Sequence, residues 1–290
     1  MKELVIISGK GGTGKTSVVA CFAALADKPV LADCDVDAAD LHLVLKPDVK
    51  EQGDFRSSKL ATIDPDECTG CGRCFELCRY DAIVRDGDVY RVDPIACEGC
   101  GVCSWNCPAE AIAFETQLNG QWFVSETRHG PMAHAKLGIA EENSGKLVTL
   151  VRNHAKRRAE EIGSDLIIID GSPGIGCPVI ASIAGTSLAL VVTEPTLSGI
   201  HDMSRVAELT RYFGIQTVVC VNKFDLNEDM ANRIESEAAA VGAKVVGRIR
   251  YDRAVTEAQI KEISVVEYTD SPVAQDVRAL WRNVAEELKA

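Results

Sequence analysis

Residues 4–16 read LVIISGKGGTGKT, and this run limits the fold more than any other stretch of the chain. Residues 4–8 are a short apolar segment of buried-strand character that leads into Gly9-Lys10-Gly11-Gly12-Thr13-Gly14-Lys15-Thr16. Glycines at this density let backbone N–H groups face phosphate oxygens. Lys15 is placed to reach the β- and γ-phosphates, Thr16 offers a hydroxyl to Mg2+, and Ser17 opens a helix expected over 17–26. Strand, glycine-rich loop and helix in that order predict an α/β architecture with its ligand at the carboxyl ends of parallel strands.

The same alternation continues downstream. Apolar strands are expected at 30–32, 122–125, 166–169, 188–193, 218–221 and 245–249, interleaved with helical patterns at 146–161, 199–213 and 229–241. A doubly wound parallel sheet is the expectation. Three strands end in polar segments: Asp33-Cys34-Asp35-Val36-Asp37, Asp170-Gly171-Ser172-Pro173-Gly174 and Asn222-Lys223-Phe224-Asp225.

Twelve cysteines need a separate explanation. Cys68, Cys71, Cys74 and Cys78 have the spacing Cys-x2-Cys-x2-Cys-x3-Cys, and Cys97, Cys100, Cys103 and Cys107 repeat it. Flanking residues recur too: Gly70 and Gly72 as Gly99 and Gly101, Asp64-Pro65 as Asp93-Pro94, Ala82-Ile83 as Ala111-Ile112. Arg79 breaks the repeat, since the second copy has Pro108. Zinc sites also use Cys-x2-Cys pairs, but three evenly spaced cysteines plus a fourth, duplicated, exceed what zinc requires. The run resembles that of bacterial ferredoxins, in which the fourth cysteine of each copy ligates the other cluster. That resemblance implies two 4Fe-4S clusters, one on Cys68, Cys71, Cys74 and Cys107, the other on Cys97, Cys100, Cys103 and Cys78.

The motif GKGGTGKT, with its extra Lys10, resembles the deviant P-loop of the MinD/ParA superfamily, which also holds the nitrogenase iron protein. The resemblance implies ATP and Mg2+, with nucleotide held by Gly9, Lys10, Gly11, Gly12, Thr13, Gly14, Lys15, Thr16, Ser17 and Asn222. It implies an ATP-dependent homodimer in which Lys10 crosses to the partner's nucleotide. Asp35, in the first switch, is expected to position the attacking water, and Thr16, Asp35 and Asp170 to form the Mg2+ shell; Lys10, Lys15, Asp35 and Asp170 are the catalytic candidates. Asn222-Lys223-Phe224-Asp225 is similar to the guanine-reading motif of GTPases, yet the superfamily generally uses adenine, which favours ATP. The closest likeness is to MinD-superfamily ATPases with an inserted ferredoxin domain. Residues 1–58 and 117–290 would form the ATPase, and 59–116 a small α+β ferredoxin domain directly after the first switch.

Composition narrows the partners. A net charge of -12 argues against nonspecific nucleic-acid binding. No apolar run approaches the ~18 residues of a bilayer span, so no membrane insertion is expected. The start carries no signal-peptide pattern, so the expected location is cytoplasmic, where cysteines bind metal rather than form disulfides. The leading expectation is electron transfer gated by nucleotide, to or from an unidentified redox or iron–sulfur protein. The alternatives are an iron–sulfur cluster carrier of the Mrp type and a MinD-like positional organiser. A carrier would need a cysteine pair outside the repeat, whereas Cys21, Cys34, Cys177 and Cys220 stand alone. An organiser would need a basic membrane helix. The apolar stripe Val273, Val277, Leu280, Trp281, Val284 and Leu288 has balanced charges and is expected to pack on the sheet. Cys177 matches a cluster-ligand position of the nitrogenase iron protein, with a buried helix-start cysteine as the alternative. Residues 122–135, WFVSETRHGPMAHA, are expected to form a polar loop after a strand, with a partner or anion site as one reading.

Overall fold

The computed structural model describes residues 1–138 and 145–289. β1 (Lys2–Ser8) is buried from Leu4 to its end, as a strand covered on both faces must be. α1 (Lys15–Leu25) follows the glycine-rich loop, and β2 (Val30–Asp33), α2 (Leu41–Leu45) and β3 (Asp48–Ile63) come next. The cysteine-rich stretch contains α3 (Arg73–Leu77), β4 (Ile83–Asp86), β5 (Val89–Val92) and α4 (Val102–Trp105) before β6 (Ile112–Thr127). Then come β7 (Gly130–Leu137), α5 (Gly145–Ile162), β8 (Leu166–Pro173), α6 (Cys177–Ile183), β9 (Leu188–Thr193) and α7 (Leu197–Tyr212). β10 (Gln216–Asn222), α8 (Glu228–Ala240), β11 (Lys244–Ile249), α9 (Arg253–Ile260), α10 (Val265–Tyr268) and α11 (Pro272–Glu287) complete the chain.

Nine strands form one sheet in the order β11-β10-β9-β1-β8-β2-β7-β6-β3. Pairing is parallel from β11 through β7, so the carboxyl ends of β1, β2, β8 and β10 lie on one edge. The expectation of a wholly parallel sheet needs correction at the β6 side. Only Arg128 and His129 link β6 to its neighbour β7, too short for a crossover, so these two strands form an antiparallel hairpin. The polar loop expected in 122–135 is likewise this hairpin.

The chain divides into two compact units, one of residues 1–53 and 121–290, the other of residues 54–120. In the larger unit α1 is the hub of the core. Phe22 is fully buried and its ring lies 4.9 Å from Trp281 of α11, so Phe22→Ala would cost about 3–5 kcal/mol. α11 buries Val273, Val277, Leu280 and Val284, the stripe expected to pack on the sheet. No helix among the described residues is long and apolar enough to cross a membrane.

The smaller unit carries its sequence repeat into its hydrogen bonds. Asp64 N–H donates to Ala111 O at 2.8 Å, and the equivalent Asp93 N–H donates to Ala82 O at 2.7 Å. Each copy therefore closes on the other. Gly72 (φ 78°) and Gly101 (φ 78°) open the equivalent helices α3 and α4. This unit begins after α2 and the first residues of β3, so it does not follow residues 33–40 directly.

Candidate functional site

The glycine-rich loop turns into α1 through Gly14, whose φ of 94° lies in the left-handed region that glycine tolerates best. A Cβ there would also sit 2.4 Å from the Asn222 side-chain nitrogen. That nitrogen donates to Thr13 O at 2.7 Å, while Asn222 Oδ1 accepts from Lys223 N–H at 3.0 Å. Asn222 lines the cleft and braces the loop through these two bonds, each of which uses part of the amide's capacity.

Lys15 Nζ lies 3.4 Å from Asp35 Oδ2, and both side chains are buried. Asp33 and Asp170 are register partners on the neighbouring strands β2 and β8, and both are buried. Burial, reinforced by repulsion from Asp170 and Asp35, pushes the Asp33 carboxyl well up. Burial also pushes Asp170 up, to about 7, against the pull of Lys15. Both Asp170 oxygens, Asp35 Oδ1 and Asp33 Oδ2 lack a hydrogen-bond partner. Buried carboxylate oxygens without donors are costly, and a hard divalent cation relieves that cost. An all-oxygen set from Asp170, Asp35 and Thr16 fits Mg2+.

A cleft of about 390 Å³ opens beside these groups, lined by Gly11, Gly12, Gly14, Lys15, Thr16 and Asp35 among others. Arg250, Tyr251, Asp252, Thr256 and Gln259, absent from the sequence expectations, form its other wall. They follow the carboxyl end of β11, where Asp252 caps α9 by accepting from Ala254 N–H at 2.9 Å. That helix-cap signal after a strand was the available clue. Asp225, the last residue of the guanine-like motif, instead accepts from Tyr251 N–H at 2.7 Å.

Lys10 pairs with Glu194 at 3.5 Å and lies 3.4 Å from Ser198 Oγ. Lys223 holds the other Glu194 oxygen at 2.5 Å. The lysine expected to cross a dimer is thus held by a carboxylate of its own chain. Gly174 N–H donates to Ser8 O at 2.9 Å, and Ser172 Oγ donates to Cys34 O at 2.6 Å, so residues 170–174 are tied to β1 and β2. Cys177 begins α6 and is exposed, which corrects the reading of a buried helix-start cysteine.

The repeat cysteines line two cavities. One is lined by Cys68, Cys71, Cys74 and Cys107, the other by Cys97, Cys100, Cys103 and Cys78. Burial pushes the Cys74 and Cys103 thiols up, a cost that metal coordination would offset. Among the described residues, no three His, Cys, Asp or Glu side chains are already gathered around a point where one ion would sit. Four cysteine thiols lining one cavity are soft donors, of the kind that hold zinc or iron–sulfur centres.

Hairpin residues from 122–135 are engaged within the protein. Ser125 Oγ and His134 Nε2 are 2.8 Å apart across the hairpin, and Arg128 and His129 both reach Glu267. Burial, with His42 adding, lowers His134 to about 4.

A mostly parallel sheet with a glycine-rich loop after β1, a buried lysine and buried carboxylates at the strand ends defines a P-loop nucleotide-binding protein. The chain belongs to the CobQ/CobB/MinD/ParA nucleotide-binding family, whose CbiA domain matches residues 4–265. It is 38% identical to the uncharacterised protein MJ0578 of Methanocaldococcus jannaschii over 228 residues, 78% of this chain and 79% of that one. It is 24% identical to MJ0579 of the same organism over 278 residues, 93% and 94% of the two chains. The fold is similar to that of the septum site-determining protein MinD of Pyrococcus horikoshii complexed with Mg-ADP. That comparison gives a TM-score of 0.59 at 20% identity, covering 100% of this chain and 98% of the other. The chain is therefore an ATPase of the MinD/ParA type.

Proposed function

We propose that the protein is an ATP-hydrolysing homodimer that couples nucleotide state to electron transfer through two 4Fe-4S clusters, to or from a protein partner. The observation that supports this reading most is the composition of the two cavities. Each combines three cysteines of one repeat copy with the fourth of the other copy. Cubane clusters in these positions would supply one-electron carriers.

The nucleotide cleft supports the first half of the reading. Lys15 is buried beside the loop and would turn from Asp35 to the phosphates. Asp35, once released, becomes available to orient water, while Asp170 and Thr16 would hold Mg2+. The preference for ATP over GTP rests on the likeness to the MinD/ParA family, since Asp225 is exposed and gives one oxygen to Tyr251 N–H. A carrier role has less support, because Cys21, Cys34 and Cys220 are buried and leave Cys177 as the one exposed cysteine outside the repeat, among the described residues.

Anaerobic purification followed by iron and sulfide analysis tests the proposal. The expected result is about eight iron and eight acid-labile sulfide per chain. Stoichiometric zinc with little iron would sink it.

A further inference from the structure

The hairpin tip makes a network that the nucleotide cleft does not require. Arg128 forms a bidentate pair with Glu267, Nε donating to Oε1 at 2.8 Å and Nη2 to Oε2 at 3.0 Å. Its third arm, Nη1, donates to Val44 O at 3.0 Å. His129 Nε2 lies 2.9 Å from Glu267 Oε1, and the Ser264 N–H and hydroxyl donate to Oε2 at 2.8 and 2.6 Å. Glu267 is therefore the acidic member of the capping box that opens α10. Burial works against its charged form, but hydrogen bonds from Arg128 and Ser264 outweigh burial and hold Glu267 down, at about 2.

What Arg128 joins gives the network its meaning. Val44 lies in α2, between the acidic residues 33–40 that border the cleft and the start of β3. Arg128 itself immediately follows β6. β3 and β6 are the strands through which the chain passes into residues 54–120 and out again. On the opposite side, Val265 and Val266 of α10 are buried in the same cluster as Cys21 and Phe22 of α1, the helix of the glycine-rich loop. One guanidinium thus bridges α2, the root of β6 and the support of α1.

We infer that Arg128 is a positioning residue that couples the acidic segment 33–40 to the roots of β3 and β6. The inference rests on the nucleotide reading of the cleft and not on the iron–sulfur reading. If nucleotide shifts residues 33–40, α2 moves with them; through Arg128, that motion reaches the hairpin tip as well as β3. A lysine cannot replace it, because a single ammonium lacks the planar fork that serves Val44 O and both Glu267 oxygens together.

Hydrogen–deuterium exchange on the full chain, with and without Mg2+ and a slowly hydrolysed ATP analogue, tests this. In the wild type, nucleotide slows exchange in 9–17 and also in 41–53 and 121–127. In Arg128→Ala and Arg128→Lys, protection of 9–17 persists while the nucleotide effect on 41–53 and 121–127 falls at least about fivefold, the size expected for one lost charge-assisted hydrogen bond. ATP turnover separates positioning from general structural damage: KM stays within about twofold while kcat falls about five- to tenfold. An undiminished nucleotide effect at 41–53 and 121–127 in both variants, or none in the wild type, overturns the inference. Absence of protection at 9–17 in the wild type overturns the nucleotide reading, and this inference with it.

Discussion

Lys15 and Asp35 meet 3.4 Å apart at the floor of the nucleotide cleft, each with less than a tenth of its side chain exposed. A buried pair of this kind is costly to break from one side only, because the remaining charge stays desolvated. In the protein with nucleotide, phosphates would take over the lysine. Lys15→Ala should therefore lose at least about a hundredfold in ATP affinity, read by titration with a fluorescent analogue. Asp35→Ala should bind ATP within about threefold of wild type yet hydrolyse it about a hundredfold more slowly in single-turnover experiments. Normal hydrolysis by Asp35→Ala would remove that residue from the chemistry.

The Asn222 brace predicts a different pattern. Removing its amide leaves Thr13 O without that donor and frees the loop beside Gly14. Asn222→Ala should weaken ATP and GTP equally, by about five- to tenfold, from the loss of one buried hydrogen bond. Selective loss of one nucleotide would instead give Asn222 a role in reading the base.

Legibility in the sequence followed the distance over which a feature is specified. The glycine-rich loop was readable because its chemistry is set by spacing within a few residues, and the cysteine repeat was visible as a pattern for the same reason. The cysteines lining each cavity are grouped as the ferredoxin resemblance implies, Cys107 with Cys68, Cys71 and Cys74, and Cys78 with Cys97, Cys100 and Cys103. The hairpin was unreadable because Arg128 finds its carboxylate in Glu267, 139 positions away, and no local pattern announces such a partner. Tyr251 and Gln259 were missed for a related reason: the strand before them was expected, but only the helix-cap residue Asp252 marks the cleft wall they form. Antiparallel β6 and β7 were hidden by the polar residues Ser125, Thr127 and Arg128, whose partners are His134 across the hairpin, Gly130 O in its turn and the remote Glu267.

His134 sets a pH dependence. Burial, helped by His42, lowers it to about 4, below the ~6.5 of an exposed histidine. The unfolded chain then binds the proton first as pH falls. Stability from this group is complete above about pH 6.5 and declines until about pH 4. Between pH 7 and pH 5 the wild type should lose about 2 kcal/mol more than His134→Gln, compared by urea unfolding. Equal losses would mean that His134 is protonated in the folded protein.

The cavity walls predict how cysteine variants sort. Cys107→Ser should damage the cluster at Cys68, Cys71 and Cys74, and Cys78→Ser the one at Cys97, Cys100 and Cys103. Spectra of the two reduced variants should therefore lose different signals. Damage confined to the cluster of the same repeat copy would show that the fourth ligands do not exchange.

The central claim is that nucleotide state is felt at the clusters, and potentiometric electron paramagnetic resonance of the anaerobic wild type, with and without Mg-ATP, tests it most directly. The account predicts that saturating Mg-ATP shifts the midpoint potential or changes the line shape of at least one reduced cluster, and that Lys15→Ala abolishes the effect. Identical potentials and spectra in the wild type, with nucleotide shown to be bound, would contradict it.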